Sequence, residues 1–407
     1  MSEQRTQLSG SARALPSDAR RVGAPDPAEQ IEVTVTLRGP DLPGTAPVAA
    51  VDPAAFAARY GASQADADRV EQQLSALGLR VYDVSLPGRS LHAQGTPAQL
   101  TAAFGAQLDV YDSAEHGRFR GREGDLEVPA PLAGIVTGVF GLDDRRVARR
   151  RAGATATAPL LPDALTPAAI EQRYSFPRGD GAGQKIAVAE FDGAYLARDL
   201  QAYCHKYGRR MPTVTEVALS GSELLTLDGF QHMSEENQAA QLDASGEVML
   251  DIEVVAGLCP GAAIDVYFAP FSEKGWVDLL NAVTAATPAP VVLTISWGRA
   301  EDSPDWSPGA VQEINQRLQA AAMLGITVYV SAGDDGASDG AQDGTYHVDF
   351  PASSPWVLAV GGTMLEGADQ QEVAWWQTPG QRFVNGVPVG GGATGGGVSG
   401  VFGRPGW

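Results

Sequence analysis

Residues 246–269 read GEVMLDIEVVAGLCPGAAIDVYFA, and a change of period inside this stretch decides the fold. In residues 246–259, Val248, Ile252, Val255 and Cys259 recur at helical spacing and form one apolar stripe. Residues 263–269 (AIDVYFA) are instead nearly continuously apolar, as a strand buried on both faces would be. The same kind of strand recurs at 185–191 (KIAVAEF), 291–297 (VVLTISW) and 326–332 (ITVYVSA). Helical patterns fill 246–259, 274–286 and 309–324. Such alternation predicts an α/β fold, a parallel sheet covered by helices. Ligands of such a sheet sit beyond the carboxyl ends of its strands.

Upstream the pattern differs. Residues 1–27 are polar, with no apolar signal core, and read as a flexible N-terminus. Residues 31–39 (IEVTVTLRG) alternate as a half-buried strand does. Helices are expected at 53–61 and 65–78, strands at 79–86 and 90–95, a helix at 97–105 and a strand at 107–111. This β-α-β-β-α-β order predicts a small α+β sandwich of the ferredoxin-like kind within residues 28–144. Residues 145–162 open with five arginines in seven positions (RRVARRR) and continue with small residues. They read as an exposed linker, either a solvated tether or a processing site, ahead of a second unit at 163–407.

The 407 residues suit two domains, and 44% hydrophobic content suffices for a proper core. With 49 acidic against 29 basic side chains, a formal charge of -20 repels nucleic acid and anionic membranes, so neither is an expected partner. Acid would relieve that self-repulsion. No apolar run is long enough to span a bilayer. Two cysteines, Cys204 and Cys259, lack metal-site spacing and give no disulfide framework. Five scattered histidines and the lack of an HExxH motif give histidine or zinc catalysis little support.

Carboxylates offer more. Glu247 and Asp251 stand one helical turn apart on one face. They are either a solvated acidic face or a pair whose pKa values are driven apart, one serving as general base and the other orienting it. The run Gly333, Asp334, Asp335, Gly336 closes a strand. It is a plain Asp-Gly turn, or it presents Asp334 as a protonated acid to a developing oxyanion. Residues 390–400 (GGGATGGGVSG) lack the lysine of a phosphate loop and read as a substrate wall or a flexible segment.

Several long strings together resemble the sedolisin family of serine-carboxyl peptidases, most closely kumamolisin-type precursors. They are IAVAEF, GEVMLDIEV, CPGAAIDVYFAP, TISWG, SAGDDGASDGAQDGTYHVDFPASSPWVLAVGGT and ATGGGVS, in family order across residues 165–400. AAFAARYGAS and VFGLD resemble the family's propeptide. The resemblance implies a subtilisin-like parallel sheet behind a propeptide that assists folding and inhibits. It implies catalytic roles for Glu247 as base, Asp251 as its partner and Asp334 at the oxyanion. Glu190 and Trp297 would form a supporting network, and Asp349 would line the substrate cleft. Protein or peptide substrates, the chain's own propeptide as partner and an extracellular setting follow from the same likeness.

The family's nucleophile lies in a Gly-Thr-Ser motif downstream of the glycine-rich segment, and this sequence has none. A C-terminally truncated catalytic domain is therefore expected, inactive alone. The family's calcium ligands would fall in the missing segment, so no cofactor is expected for residues 1–407. Ser399 matches a position upstream of the nucleophile and reads as structural, as do the strand-end residues Ser296 and Ser331. A non-catalytic remnant acting as a binding or inhibitory module is the alternative reading.

Overall fold

In β1 (Ile31–Leu37) the residues alternate, and the two faces of the strand have different work to do. Val33, Val35 and Leu37 pack beneath α2 (Gln64–Ala76) and α3 (Pro97–Phe104), against Val70, Leu74, Leu100 and Phe104. A shorter helix, α1 (Pro53–Tyr60), precedes them. The antiparallel sheet runs β2 (Arg80–Ser85), β3 (Ser90–Gly95), β1, β4 (Val136–Phe140). A Thr96–Gln99 capping box starts α3. In this computed structural model residues 4–406 are described, except 46–47, 148, 151–164, 223, 342, 367–369, 378–381, 385–386 and 390–391.

Three expectations for this half need correction. The strand beside β1 is β4, not 107–111. Asp109–Ser113 joins Arg20–Gly23 and Gly117–Gly121 in a separate sheet, where Asp109 meets Arg21 at 2.7 Å. Its aspartates find arginines there, whereas Val136, Val139 and Phe140 are buried beside β1. The N-terminal residues are also not a loose tail: Arg5–Gln7 pairs with Glu127–Pro129, and Arg13 is buried. Finally, the polar face of β1 is not solvated. Thr34 and Thr36 are fully buried.

That polar face meets the second unit. Its six-stranded parallel sheet contains β5 (Lys185–Glu190), β6 (Thr213–Ala218), β7 (Ala263–Phe268), β8 (Val292–Ile295), β9 (Thr327–Ser331) and β10 (Leu358–Val360). Their order across the sheet is β6-β7-β5-β8-β9-β10. Helices α4 (Ala197–Tyr207) and α5 (Glu235–Leu258) cover one face, with Val248, Ile252 and Ala256 against Val188, Ile264 and Val266. Helices α6 (Glu273–Ala285) and α7 (Pro308–Met323) cover the other, over a core holding Trp276, Leu280, Ile314 and Leu318. Helix α5 begins well before the expected residue 246, because its polar first turns carry no apolar stripe.

Helices α6 and α7 lie between the two sheets, so the units share a polar seam. Thr34 donates to Asp278 at 2.7 Å, and Lys274 pairs with the same carboxylate at 2.8 Å. Asn281 reaches Ser90, and Arg317 reaches the Gly88 carbonyl. A buried ion network closes one end of the seam. Arg13 contacts Glu273 at 2.5 Å and Asp143 at 3.2 Å, and donates to the Asp305 carbonyl. Arg145, expected in an exposed linker, is 1% exposed and grips Asp143 at 2.6 Å. Burial alone would raise the Asp143 pKa, but Arg13 and Arg145 hold it well below the usual carboxylate range.

Removing one partner of such a network strands the others in a dry site. Arg13→Ala is expected to lower unfolding stability by about 3–5 kcal/mol, read from urea titrations at pH 7. A loss below about 1 kcal/mol would show that the network does not hold the seam.

Candidate active site

The carboxyl ends of β5, β8 and β9 lie side by side, and Glu190, Glu247, Asp251 and Asp334 lie there or on the adjacent helix. Glu190 is the last residue of β5 and has no solvent exposure. Glu247 is buried on α5, and Asp251, one turn later, is half-buried. Of the two readings of Glu247 and Asp251, the solvated face is therefore excluded. The apolar stripe that turns α5 toward the sheet carries both side chains inward.

Two consecutive residues at the end of β8 hold two of these carboxylates. The Ser296 hydroxyl lies 2.9 Å and 2.7 Å from the two oxygens of Asp251. The Trp297 indole donates to Glu190 Oε2 at 3.0 Å. Burial raises the Glu190 pKa well above the ordinary glutamate value, and Asp251 and Glu247 push it further against the pull of the indole. Burial likewise lifts Asp251 to about 6, against the Ser296 hydrogen bond that favours its charged form. A carboxyl poised as Asp251 is exchanges its proton in mild acid.

Asp334 follows β9 at a turn where Gly333 and Gly336 both have positive φ. Residues 393–395 of the glycine-rich segment pair with this turn. Ala393 donates its N–H to the Asp334 carbonyl at 2.8 Å, and Gly395 to Gly333 at 2.8 Å. A Cβ on Gly395 would stand 1.9 Å from the Ala332 carbonyl oxygen, so only glycine fits. Ser399 caps a local turn: its hydroxyl reaches Glu301 at 2.7 Å and accepts the Phe402 N–H. Asp349 is buried in a short strand, Asp349–Phe350, paired antiparallel with Arg299–Ala300.

Sequence reasoning passed over two features. Ser296, read as an unremarkable strand-end serine, contacts Asp251; its position beside Trp297 was the available signal. The backbone of Arg149–Arg150 pairs antiparallel with Trp297–Gly298, beside the carboxylate group. Just upstream, Val147 is buried and Arg146 pairs with Asp192 at 2.9 Å. The tail of the first unit thus runs along the strand next to the site. The rest of the predicted linker, 151–164, lies outside the described residues.

Cys204 and Cys259 are both free thiols. Among the described residues Glu115, His116 and Asp305 are spaced to hold a metal ion. Arg299 engages both Glu115 and Asp305, the latter at 2.8 Å, so the cluster already contains its cation.

Residues 17–145 match the family described as Pro-kumamolisin, activation domain, and residues 235–386 match the Subtilase family. The chain is 38% identical to kumamolisin of Bacillus sp. (strain MN-32) over 434 residues, spanning 100% of this chain and 74% of the relative. It is 28% identical to tripeptidyl-peptidase sed5 of Aspergillus fumigatus over 450 residues, spanning 98% and 73%. Among solved structures, Pseudomonas sedolisin, a serine-carboxyl proteinase complexed with two molecules of pseudo-iodotyrostatin, aligns with a TM-score of 0.44 at 26% identity. That alignment covers 57% of this chain and 62% of the other. With identity of 38% running through both the activation unit and the parallel-sheet unit, the chain belongs to the sedolisin family of serine-carboxyl peptidases, on its kumamolisin-type branch.

Proposed function

We propose that the chain is the precursor of an acid-acting serine-carboxyl endopeptidase that hydrolyses peptide bonds in proteins. The observation that carries this reading is the group of carboxyls formed by buried Glu190 at the end of β5 with buried Glu247 and half-buried Asp251 on α5, Asp251 being lifted to about 6. On this reading Glu247 is the general base that takes the proton of a serine nucleophile, and Asp251 orients it. A carboxylate base remains competent in acid, where a histidine would be charged. Asp334, when protonated, donates to the developing oxyanion, and Glu190 with Trp297 backs the pair. Asp349 borders the substrate cleft. No serine within residues 1–407 is assigned as nucleophile, since the Gly-Thr-Ser motif is lacking.

The activation unit is read as an inhibitor in place. Its Arg149–Arg150 segment lies as an extended strand along Trp297–Gly298, as a peptide substrate would lie beside the carboxylates. Cleavage near Arg151, followed by release of the activation unit with its Arg149–Arg150 tail, would free the cleft. An acidic extracellular setting suits both events; no helix among the described residues is long and apolar enough to cross a membrane.

At pH 3–5 and at pH 7, residues 1–407 alone are expected to leave casein intact. Extended by the C-terminal quarter of kumamolisin, the same chain is expected to cleave casein at pH 3–5 and to acquire a new N-terminus near Arg151. Glu247→Ala in that chimera should reduce the rate at least about 100-fold. Cleavage by residues 1–407 alone would overturn the assignment of the nucleophile. Silence from a chimera with native near-ultraviolet dichroism would favour a binding or inhibitory module.

Stability offers a second test. A carboxyl whose folded pKa is raised binds its proton more readily when folded, so stability falls as pH rises from about 4 to about 6. Urea unfolding of residues 1–407 is expected to show Asp251 costing about 2 kcal/mol at pH 7 relative to pH 4.5. Asp251→Asn should remove most of that dependence. An unchanged slope in this variant would mean that Asp251 titrates normally.

A further inference from the structure

The chain changes sheets between Ile295 and Trp297, leaving the parallel sheet and entering the antiparallel strand Trp297–Ala300. Ser296 sits at this junction, so its position is fixed by backbone pairing on both sides. Its hydroxyl carries a single proton and meets both oxygens of Asp251, at 2.9 Å and 2.7 Å. A hydroxyl spanning both oxygens donates to a carboxylate, and donation to a charged acceptor is the stronger kind of hydrogen bond. The next residue, Trp297, supplies an indole N–H to a different carboxylate, Glu190. Two adjacent side chains therefore each attend one member of a group of like charges.

The titratable groups that interact there are Glu190 from β5 and Glu247 and Asp251 from α5. Three such carboxyl groups, packed together with little water, do not all ionise at once; proton and charge must be shared out among them. We propose that Ser296 is a positioning residue that keeps the charge on Asp251, by donating to both of its oxygens, and so leaves the proton with Glu190. Asp251 then faces Glu247 as an anion fixed in orientation. Glu190 stays the neutral member, able to accept the indole N–H through Oε2 and to keep its own O–H. The hydroxyl contributes no atom to the reaction; it decides which carboxyl of the group loses its proton first as the pH rises.

The inference rests on the peptidase reading for its meaning, but its measurement needs no peptide cleavage. Residues 1–407 labelled with 13Cγ-aspartate would be titrated by NMR from pH 4 to pH 8, with the Asp251 signal assigned by its loss in Asp251→Asn. The Trp297 indole resonance, assigned by Trp297→Phe, reports that the site is folded. Ser296→Ala is expected to move the Asp251 midpoint upward from about 6 by about one pH unit. Ser296→Thr, which keeps the hydroxyl, should restore it. A midpoint unchanged or lowered in Ser296→Ala, with the indole signal in place, overturns the proposal. Should Ser296→Ala lose that signal, Ser296→Thr and Ser296→Cys decide. A higher midpoint in Cys than in Thr supports the role, and equal midpoints reject it. A shift found alongside a silent chimera would uphold Ser296 and sink the peptidase; cleavage without a shift would do the reverse.

Discussion

A strand with two dry faces governs the architecture. The apolar face of β1 is satisfied by the first unit's own helices, but its threonine face is equally buried and must find polar partners. Asp278 answers Thr34, and a carboxylate in that position requires a cation, which Lys274 supplies one turn earlier on the same helix. The seam is therefore specified residue by residue. An apolar seam could slide; hydrogen-bonded buried groups tolerate one register.

The register of the seam fixes where the first unit's tail leaves it. Asp143 is held between Arg13 and Arg145, and this network anchors the chain a few residues before Arg149–Arg150. From that anchor Val147 enters the core and Arg146 reaches Asp192. Docking of the two sheets and occupation of the strand beside the carboxylates are thus mechanically one event. The first unit cannot stay docked through Arg13 and Arg145 without keeping its tail close to Trp297 and Gly298.

What the sequence disclosed follows from how dry each segment is. KIAVAEF and AIDVYFA declare themselves because both faces of those strands are buried, leaving no room for polar residues. Thr213–Ala218 went unread because it is an edge strand, alternately exposed. The spacing of Glu247 and Asp251 showed that they share a helix face, but not whether that face was wet; burial of the pair depends on β5 and β8, distant in sequence. Arg145 looked like a linker because its partners are Asp143 and residues about 130 to 160 positions away. Long-range pairing of that kind leaves no local signature. Ser296 was missed for the same reason, since a serine has no periodicity to betray its partner.

Two sets of buried carboxylates respond to acid in opposite directions. Asp251, raised by burial, and Glu190, raised by burial and by the charges of Asp251 and Glu247, are relieved as the pH falls from neutral toward about 4, so the strand-end site becomes easier to hold together. Asp143, depressed by two arginines, keeps its full contribution over that interval and loses it only as the pH falls below about 4 toward its own lower pKa. Protonating Asp143 leaves Arg13 and Arg145 buried with less compensating charge, which loosens the seam from the first unit's side. Mild acid therefore firms the carboxylate site while the tail still covers it, and stronger acid weakens the anchor that keeps the tail in place. The order follows from the signs of the two pKa shifts and needs no third component.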